Sequence, residues 1–289
     1  MLGVEPAPVT DNKQRAGIAG SNELAIRILS TFVLAPLAVA TAYAGGWIFG
    51  VFWLIGAIGV WWEWNALVSG LGNRLLFILG ATTLILALVI AEIGMTRTPM
   101  LIIALGALGA GVFATADRRM WTAGGLVYAG AILIGAITLR RDAELGLAAA
   151  LFLFAIVWAT DTLAYFAGRV FGGPKLAPKI SPNKTWSGAI GGAAGAVVAG
   201  IAVARLAGLQ NLGAIGVVAL LLSIVAQAGD LFESGVKRRF GKKDASRLIP
   251  GHGGFMDRLD GFAAAVTAAA LFGIARGGLD AAAHGLLSW

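Results

Sequence analysis

The residues of this chain that could do chemistry are carboxylates and bases spaced by single helical turns. Asp161 stands with Ala164, Tyr165 and Gly168 at intervals of three and four, one stripe of an α-helix. Gln227, Asp230, Ser234, Lys237 and Arg238 form a second stripe, with Glu233 at its margin. Downstream, Pro250-Gly-His252-Gly253-Gly254 leads into Asp257, Arg258 and Asp260. Two carboxylates three apart can share a divalent cation, and oxygen ligands suit Mg²⁺. His252, set between glycines, reads more readily as a turn residue than as a ligand. The stretch Ser181-Pro182-Asn183-Lys184-Thr185 carries an N-cap and first-turn signal in its Ser-Pro pair. That would set free amides and the positive end of a helix beside Lys184 and Thr185, as in a phosphate site. Read singly, these features also describe a packing contact, a salt-bridge ladder and an interfacial helix start. Together, carboxylates interleaved with basic groups point to metal-assisted chemistry on phosphates.

The elements that position these residues must be membrane helices. Of the 289 residues, 58% are hydrophobic and only 13% charged, with 42 glycines. Soluble domains carry about 25% charge. Mean hydropathy is +0.83, which leaves too little polar surface to cover a water-soluble globule. A soluble enzyme, a disordered chain and a fibre are excluded. A barrel would show alternating polarity, whereas the apolar runs here are continuous and about 20 residues long, enough to cross roughly 30 Å as helix. There is no cysteine, so no disulfide or thiolate metal site, and two histidines are too few for a zinc site.

Nine segments are expected to span: 24–44, 46–68, 75–93, 100–116, 121–139, 145–170, 186–206, 212–232 and 259–275. Residues 1–23 form a polar lead, 24–140 a region of five spans, and 141–289 a region of four with polar loops at 169–185 and 234–260. Alternate loops on one side receive 17 of the 22 lysines and arginines. The positive-inside rule therefore places that side and the N-terminus in the cytoplasm. The fold expected is all-α and polytopic, and its last four spans and two loops hold nearly all the chemistry, on one face. The first five spans carry Glu63, in Trp61-Trp62-Glu63-Trp64, and little else; the sequence does not explain it, and a place facing water at the cytoplasmic end of the second span is one reading.

The stretch Ser234-x-x-Lys237-Arg238-x4-Lys243-Asp244-x-Ser246-x2-Ile249-Pro250-x-His252-Gly253-Gly254-x2-Asp257-Arg258-x-Asp260 closely resembles the signature of the phosphatidate cytidylyltransferases, or CDP-diacylglycerol synthases. Trp158-x2-Asp161-x2-Ala164-Tyr165-x2-Gly168-Arg169 and Ser181-Pro182-x-Lys184-Thr185 look like the family's two other motifs, in order. Gly173, where a basic residue is frequent, and Ser187, where Glu is frequent, depart from the pattern. The resemblance implies that CTP and phosphatidate give CDP-diacylglycerol and pyrophosphate with Mg²⁺, and it leaves room for a second monovalent or divalent cation. It assigns Asp230 and Asp257 as metal ligands, with Asp161 and Asp260 as further carboxylates. Phosphate oxygens fall to Lys237, Arg238, Arg258, Lys184, Ser181 and Thr185, while Tyr165 and Ser234 belong to the substrate-binding motifs. His252, Gly253 and Gly254 would let backbone approach the nucleotide. It further implies a homodimer in the bacterial inner membrane, a site open to cytosol and lipid, and no nucleic-acid partner.

Two other readings fit less well. A CDP-alcohol phosphotransferase would need an Asp-Gly-x2-Ala-Arg start, but Asp260-Gly261 is followed by Phe-Ala-Ala-Ala. A transporter would place its carboxylates near the midplane, whereas these collect at one membrane face.

Overall fold

A computed structural model describes residues 33–70, 73–246 and 253–289. Helices occupy the place of every expected span: α1 (Val33–Ala44), α2 (Gly46–Ser69), α3 (Arg74–Glu92), α4 (Thr98–Phe113), α5 (Arg119–Arg141), α6 (Gly146–Phe171), α7 (Trp186–Leu206), α8 (Leu212–Arg239) and α9 (Met256–Gly277). A short α10 (Ala282–Leu287) follows. Seven of these, α2, α3 and α5 to α9, are long and apolar enough to cross a membrane. Among the described residues α1 and α4 are shorter. Large apolar side chains such as Leu108, Val112, Ile190 and Val198 lie exposed on the outside of the bundle, the arrangement lipid stabilises and water does not. The chain is a polytopic helical membrane protein.

Three features differ from the expectation. Helix α8 continues past Phe232 to Arg239, because Glu233 to Arg239 keeps the helical stripe and ends in Lys237, Arg238 and Arg239, which complement the negative helix end. Helix α9 begins at Met256, three residues before the expected segment, and Asp257, Arg258 and Asp260 sit on its first turns, the incipient helix on which the two carboxylates are expected. Between α6 and α7, strands β1 (Lys175–Ala177) and β2 (Ser181–Thr185) pair as an antiparallel hairpin. Ser181 therefore does not cap a helix. An edge strand tolerates the missing amide of Pro182, and the cap passes to Thr185. Its extended backbone (φ −123°, ψ 157°) aims the hydroxyl at the amide of Gly188, 3.1 Å away.

The hairpin is anchored at its base. Gly172 and Gly173 have φ of 59° and 98°, a left-handed reversal that disfavours side chains, so Gly173 suits this turn better than the basic residue common in the pattern. Ser187, the other departure, donates to the carbonyl of Gly172 and ties the start of α7 to the end of α6.

Helix α2 packs against α3, α5 and α9. The Trp61 indole donates to the Phe77 carbonyl of α3 at 3.2 Å and that of Trp64 to the Trp121 carbonyl of α5 at 2.8 Å. Trp53 stacks on Phe262 of α9, centroids 4.3 Å apart. The tryptophan-rich segment thus ties the first half of the chain to the helix that carries Asp257.

Candidate active site

The site is where the end of α6, the hairpin, the end of α8 and the start of α9 meet. Direct bonds join them. Lys184, at the end of β2, pairs with Oδ2 of Asp230 on α8. Arg238 on α8 donates from Nε to the Ile180 carbonyl in the hairpin turn at 3.5 Å, and from Nη1 to Lys242. Lys237 is almost fully buried, and its Nζ lies 2.7 Å from Glu233 and 2.5 Å from Asp257. One cation thereby fixes α8 against α9.

Asp257 is the most engaged carboxylate. Its Oδ2 accepts the amides of Gly254 at 2.9 Å and Ala245 at 3.2 Å, while Oδ1 takes Lys237. Gly253, at φ 81°, turns the chain over this carboxylate. Asp230 is freer, since among the described residues its Oδ1 accepts only a 3.5 Å bond from Ser234, one turn on. Asp161 and Asp260 both lie within electrostatic range of Asp230, and Arg258 and Lys184 within range of Asp161. Asp161 is exposed at the end of α6. Asp161, Asp230 and Asp260 thus stand with Lys184 and Arg258 beside Asp257 and Glu233 around Lys237, and Glu233 is within electrostatic range of both Asp230 and Asp260.

Most of the expected residues therefore converge. Thr185 acts as the cap of α7 beside Lys184, and Ser181 sits on β2 opposite Ala177. Tyr165 lies on the exposed side of α6, where its hydroxyl accepts from Arg169 at 2.8 Å, with no bond to the carboxylates among the described residues. His252 lies outside the described residues.

Glu63 is the residue whose role the sequence leaves unexplained. Instead of facing water it is fully buried, and it accepts hydrogen bonds from Ser246 Oγ (2.5 Å) and the amides of Phe255 (2.9 Å) and Met256 (2.7 Å). Its partners are more than 180 residues away in sequence, so no local pattern reveals them. The only signal was its isolation as a carboxylate in an apolar half.

Cations paired with carboxylates in this way can exchange those partners for phosphate oxygens, and the carboxylates can then hold a hard metal ion. Mg²⁺ asks for only one or two carboxylates beside water and phosphate oxygens. Among the described residues no three acidic or histidine side chains are grouped so as to hold a metal ion by themselves.

Comparison with known proteins agrees with this chemistry. A family model described as the cytidylyltransferase family matches residues 25–274. A phosphatidate cytidylyltransferase of Brucella abortus biovar 1 (strain 9-941) is 44% identical over 259 residues, 87% of this chain and 94% of its own. Proteins of the same name from Haemophilus influenzae (44% over 131 residues, 44% of this chain and 46% of theirs) and Staphylococcus epidermidis (48% over 118 residues, 40% and 45%) match shorter stretches.

Proposed function

The chain belongs to the cytidylyltransferase family, and from that premise we propose that it joins the cytidylyl group of CTP to phosphatidate, releasing pyrophosphate and leaving CDP-diacylglycerol in the membrane. The observation that carries the reading is the set of cations, Lys184, Lys237, Arg238 and Arg258, gathered with Asp161, Asp230, Asp257 and Asp260 where four elements meet. A phosphate oxygen of phosphatidate attacks the α-phosphorus of CTP, and the bond to the bridging oxygen of the β-phosphate breaks. The lipid supplies its own nucleophile, so no Ser or Cys nucleophile is required. The protein's task is to hold two polyanions in line and offset their charge.

In this reading Lys237, Arg238 and Arg258 bind phosphate oxygens from the α8 and α9 side. Lys184 does so from the hairpin, with Ser181 and the capped start of α7 at Thr185. Asp230 and Asp257 are the proposed Mg²⁺ ligands, Asp161 and Asp260 supporting carboxylates, and the donor set leaves room for a second monovalent or divalent cation. A Mg²⁺ held by Asp230 and Asp257 would supply positive charge to offset what develops on the leaving pyrophosphate. Lys237, turning from Asp257 to a phosphate, would free one oxygen of that carboxylate. His252, Gly253 and Gly254 are assigned to backbone approach by the nucleotide, and Tyr165 and Ser234 to substrate binding.

Nine spans, an N-terminus and catalytic face in the cytoplasm, a bacterial inner-membrane location and a homodimer complete the proposal. The bias of basic residues to one side and the family resemblance support them. The decisive assay incubates purified protein in detergent with labelled CTP, phosphatidate and Mg²⁺. Label is expected in a chloroform-soluble product and is expected to disappear on chelation. No label in that phase with Mg²⁺ present overturns the reading, and label that survives chelation removes the metal from it.

A further inference from the structure

Helix α9 begins without a cap of its own. Its N-cap position is Phe255, in helical backbone, and no side chain there accepts a first-turn amide. The free N–H groups at the start of a helix need acceptors when buried, and here they come from another part of the bundle. The two oxygens of Glu63 on α2 take the amides of Phe255 and Met256, and Oε1 also takes the hydroxyl of Ser246. One carboxylate therefore holds chain on both sides of residues 247–252, and it does so one residue before Asp257.

The surroundings fit this grip closely. A Cβ on Gly254 would stand 2.5 Å from Glu63 Oε2, so the carboxylate approaches as near as a bare backbone allows. A Cβ on Gly59, one turn earlier on α2, would stand 2.6 Å from the Phe255 ring, and one on Gly56 would stand 3.2 Å from Leu259. Gly56, Gly59 and Glu63 thus make one face of α2, shaped to the first turns of α9. A negative group at a helix N-terminus is also favoured by the helix dipole. The position has a cost, since Glu63 and Asp257 feel each other's charge. Three donors on a buried carboxylate offset that repulsion.

We propose that Glu63 is a positioning residue for cytidylyl transfer, an anion supplied by the N-terminal half of the chain that fixes the start of α9 and with it the Asp257–Lys237 pair. The inference rests on the functional reading above. It does not place Glu63 in contact with substrate.

An ionised carboxylate only accepts, and so satisfies all three donors. Gln has the same shape but turns an N–H₂ toward at least one of them, whereas Asp keeps the charge and loses a methylene. The order of these variants separates anchoring from packing. Wild type, Glu63→Asp and Glu63→Gln are purified as monodisperse protein in detergent, and kcat and KM for CTP are measured per folded molecule. Glu63→Asp is expected to keep kcat within about tenfold, and Glu63→Gln to lose about 10- to 100-fold with KM changed less than about threefold. Hydrogen exchange at Phe255 and Met256 is expected to quicken in Glu63→Gln. A Gln variant with wild-type kcat, a Gln variant faster than Asp, or unchanged exchange at those amides overturns the proposal. Should Glu63→Gln not be recovered folded, Ser246→Ala is read instead, with a loss of about tenfold in kcat expected and an unchanged kcat overturning it. If wild type itself makes no lipid-linked product the functional reading fails, while the exchange comparison still tests the grip of Glu63.

Discussion

Lys237 sits between Glu233 and Asp257 with almost no accessible surface, and Glu233 has none. A buried ion pair is weak evidence for stability, but removing one member leaves a charge with no partner, which costs about 3–5 kcal/mol. Lys237→Met is therefore expected to lower the thermal midpoint in detergent sharply, because two carboxylates lose their cation at once. Adding Glu233→Gln to it should restore much of that loss. Asp257 keeps its two backbone amides, and Gln at 233 needs no counter-ion. Activity should stay low in both proteins if Lys237 serves phosphate. Thermal unfolding with a parallel product assay checks this, and equal midpoints for the single and double variants would show that Glu233 is not held by the pair. At this scale the residue types were legible in the sequence, and so was the stripe of Asp230, Ser234 and Lys237, because helical periodicity is local. The partner choices were not. The Glu233–Lys237 pair is a local i,i+4 contact, but that Lys184 takes Asp230 and Lys237 also takes Asp257 depends on how α8 meets the hairpin and α9.

Among the elements, α6 and α7 pack backbone against backbone. A Cβ on Gly188 would lie 2.8 Å from the Ala164 carbonyl, and one on Gly192 2.7 Å from the Thr160 carbonyl. Gly188, Gly192, Ala196 and Gly200 recur every four residues, the small-residue spacing that lets membrane helices pack backbone to backbone. Because the obstacle at Gly192 is backbone and not a flexible side chain, Gly192→Ala must push the helices apart, at a cost of about 1–3 kcal/mol. The same shift would move Thr185 and Lys184, which sit at the head of α7, away from Asp230. The expected outcome is a lower thermal midpoint together with a weaker response to CTP, seen as a raised KM. Gly124, whose added Cβ meets nothing within 4 Å, serves as the control and should tolerate Ala. Helices of this kind were legible because the bilayer fixes the length of an apolar run, and the bounds of α7 match the expected segment. The hairpin was not legible. Ser181-Pro182 carries a helix-start signal that the pairing of Lys175 with Thr185 overrides, and that pairing depends on the reversal at Gly172 and Gly173.

For the whole molecule, charge is sorted by face. The phosphate-binding candidates gather at one end of the bundle. At the other end the link from α5 to α6 meets α10, where His284 Nδ1 lies 2.9 Å from Asp142 Oδ2 and the same oxygen accepts the His284 amide at 3.1 Å. Asp142 also accepts the amide of Leu145 at the start of α6, so one carboxylate joins α5, α6 and α10. Burial pushes the Asp142 carboxyl up, but the bonds from Leu145 and His284 outweigh it and hold it below its ordinary value. The hydrogen bond to Asp142 raises His284 above its ordinary 6.5, against a smaller opposing effect of burial. The signs then follow from linkage. The His284 contribution is complete below pH 6.5 and fades as pH rises through the raised value in the fold. The Asp142 contribution is present above 3.8 and is lost as acid protonates the carboxylate in the fold. The α10 contact should be firmest between these limits. In detergent, the thermal midpoint of wild type minus that of His284→Gln should be largest near pH 6 and shrink toward pH 9, while cytidylyl transfer, located at the opposite end, changes little between the two proteins at any one pH. A difference that stays flat from pH 6 to pH 9 would mean that the imidazole acts there by shape and not by charge.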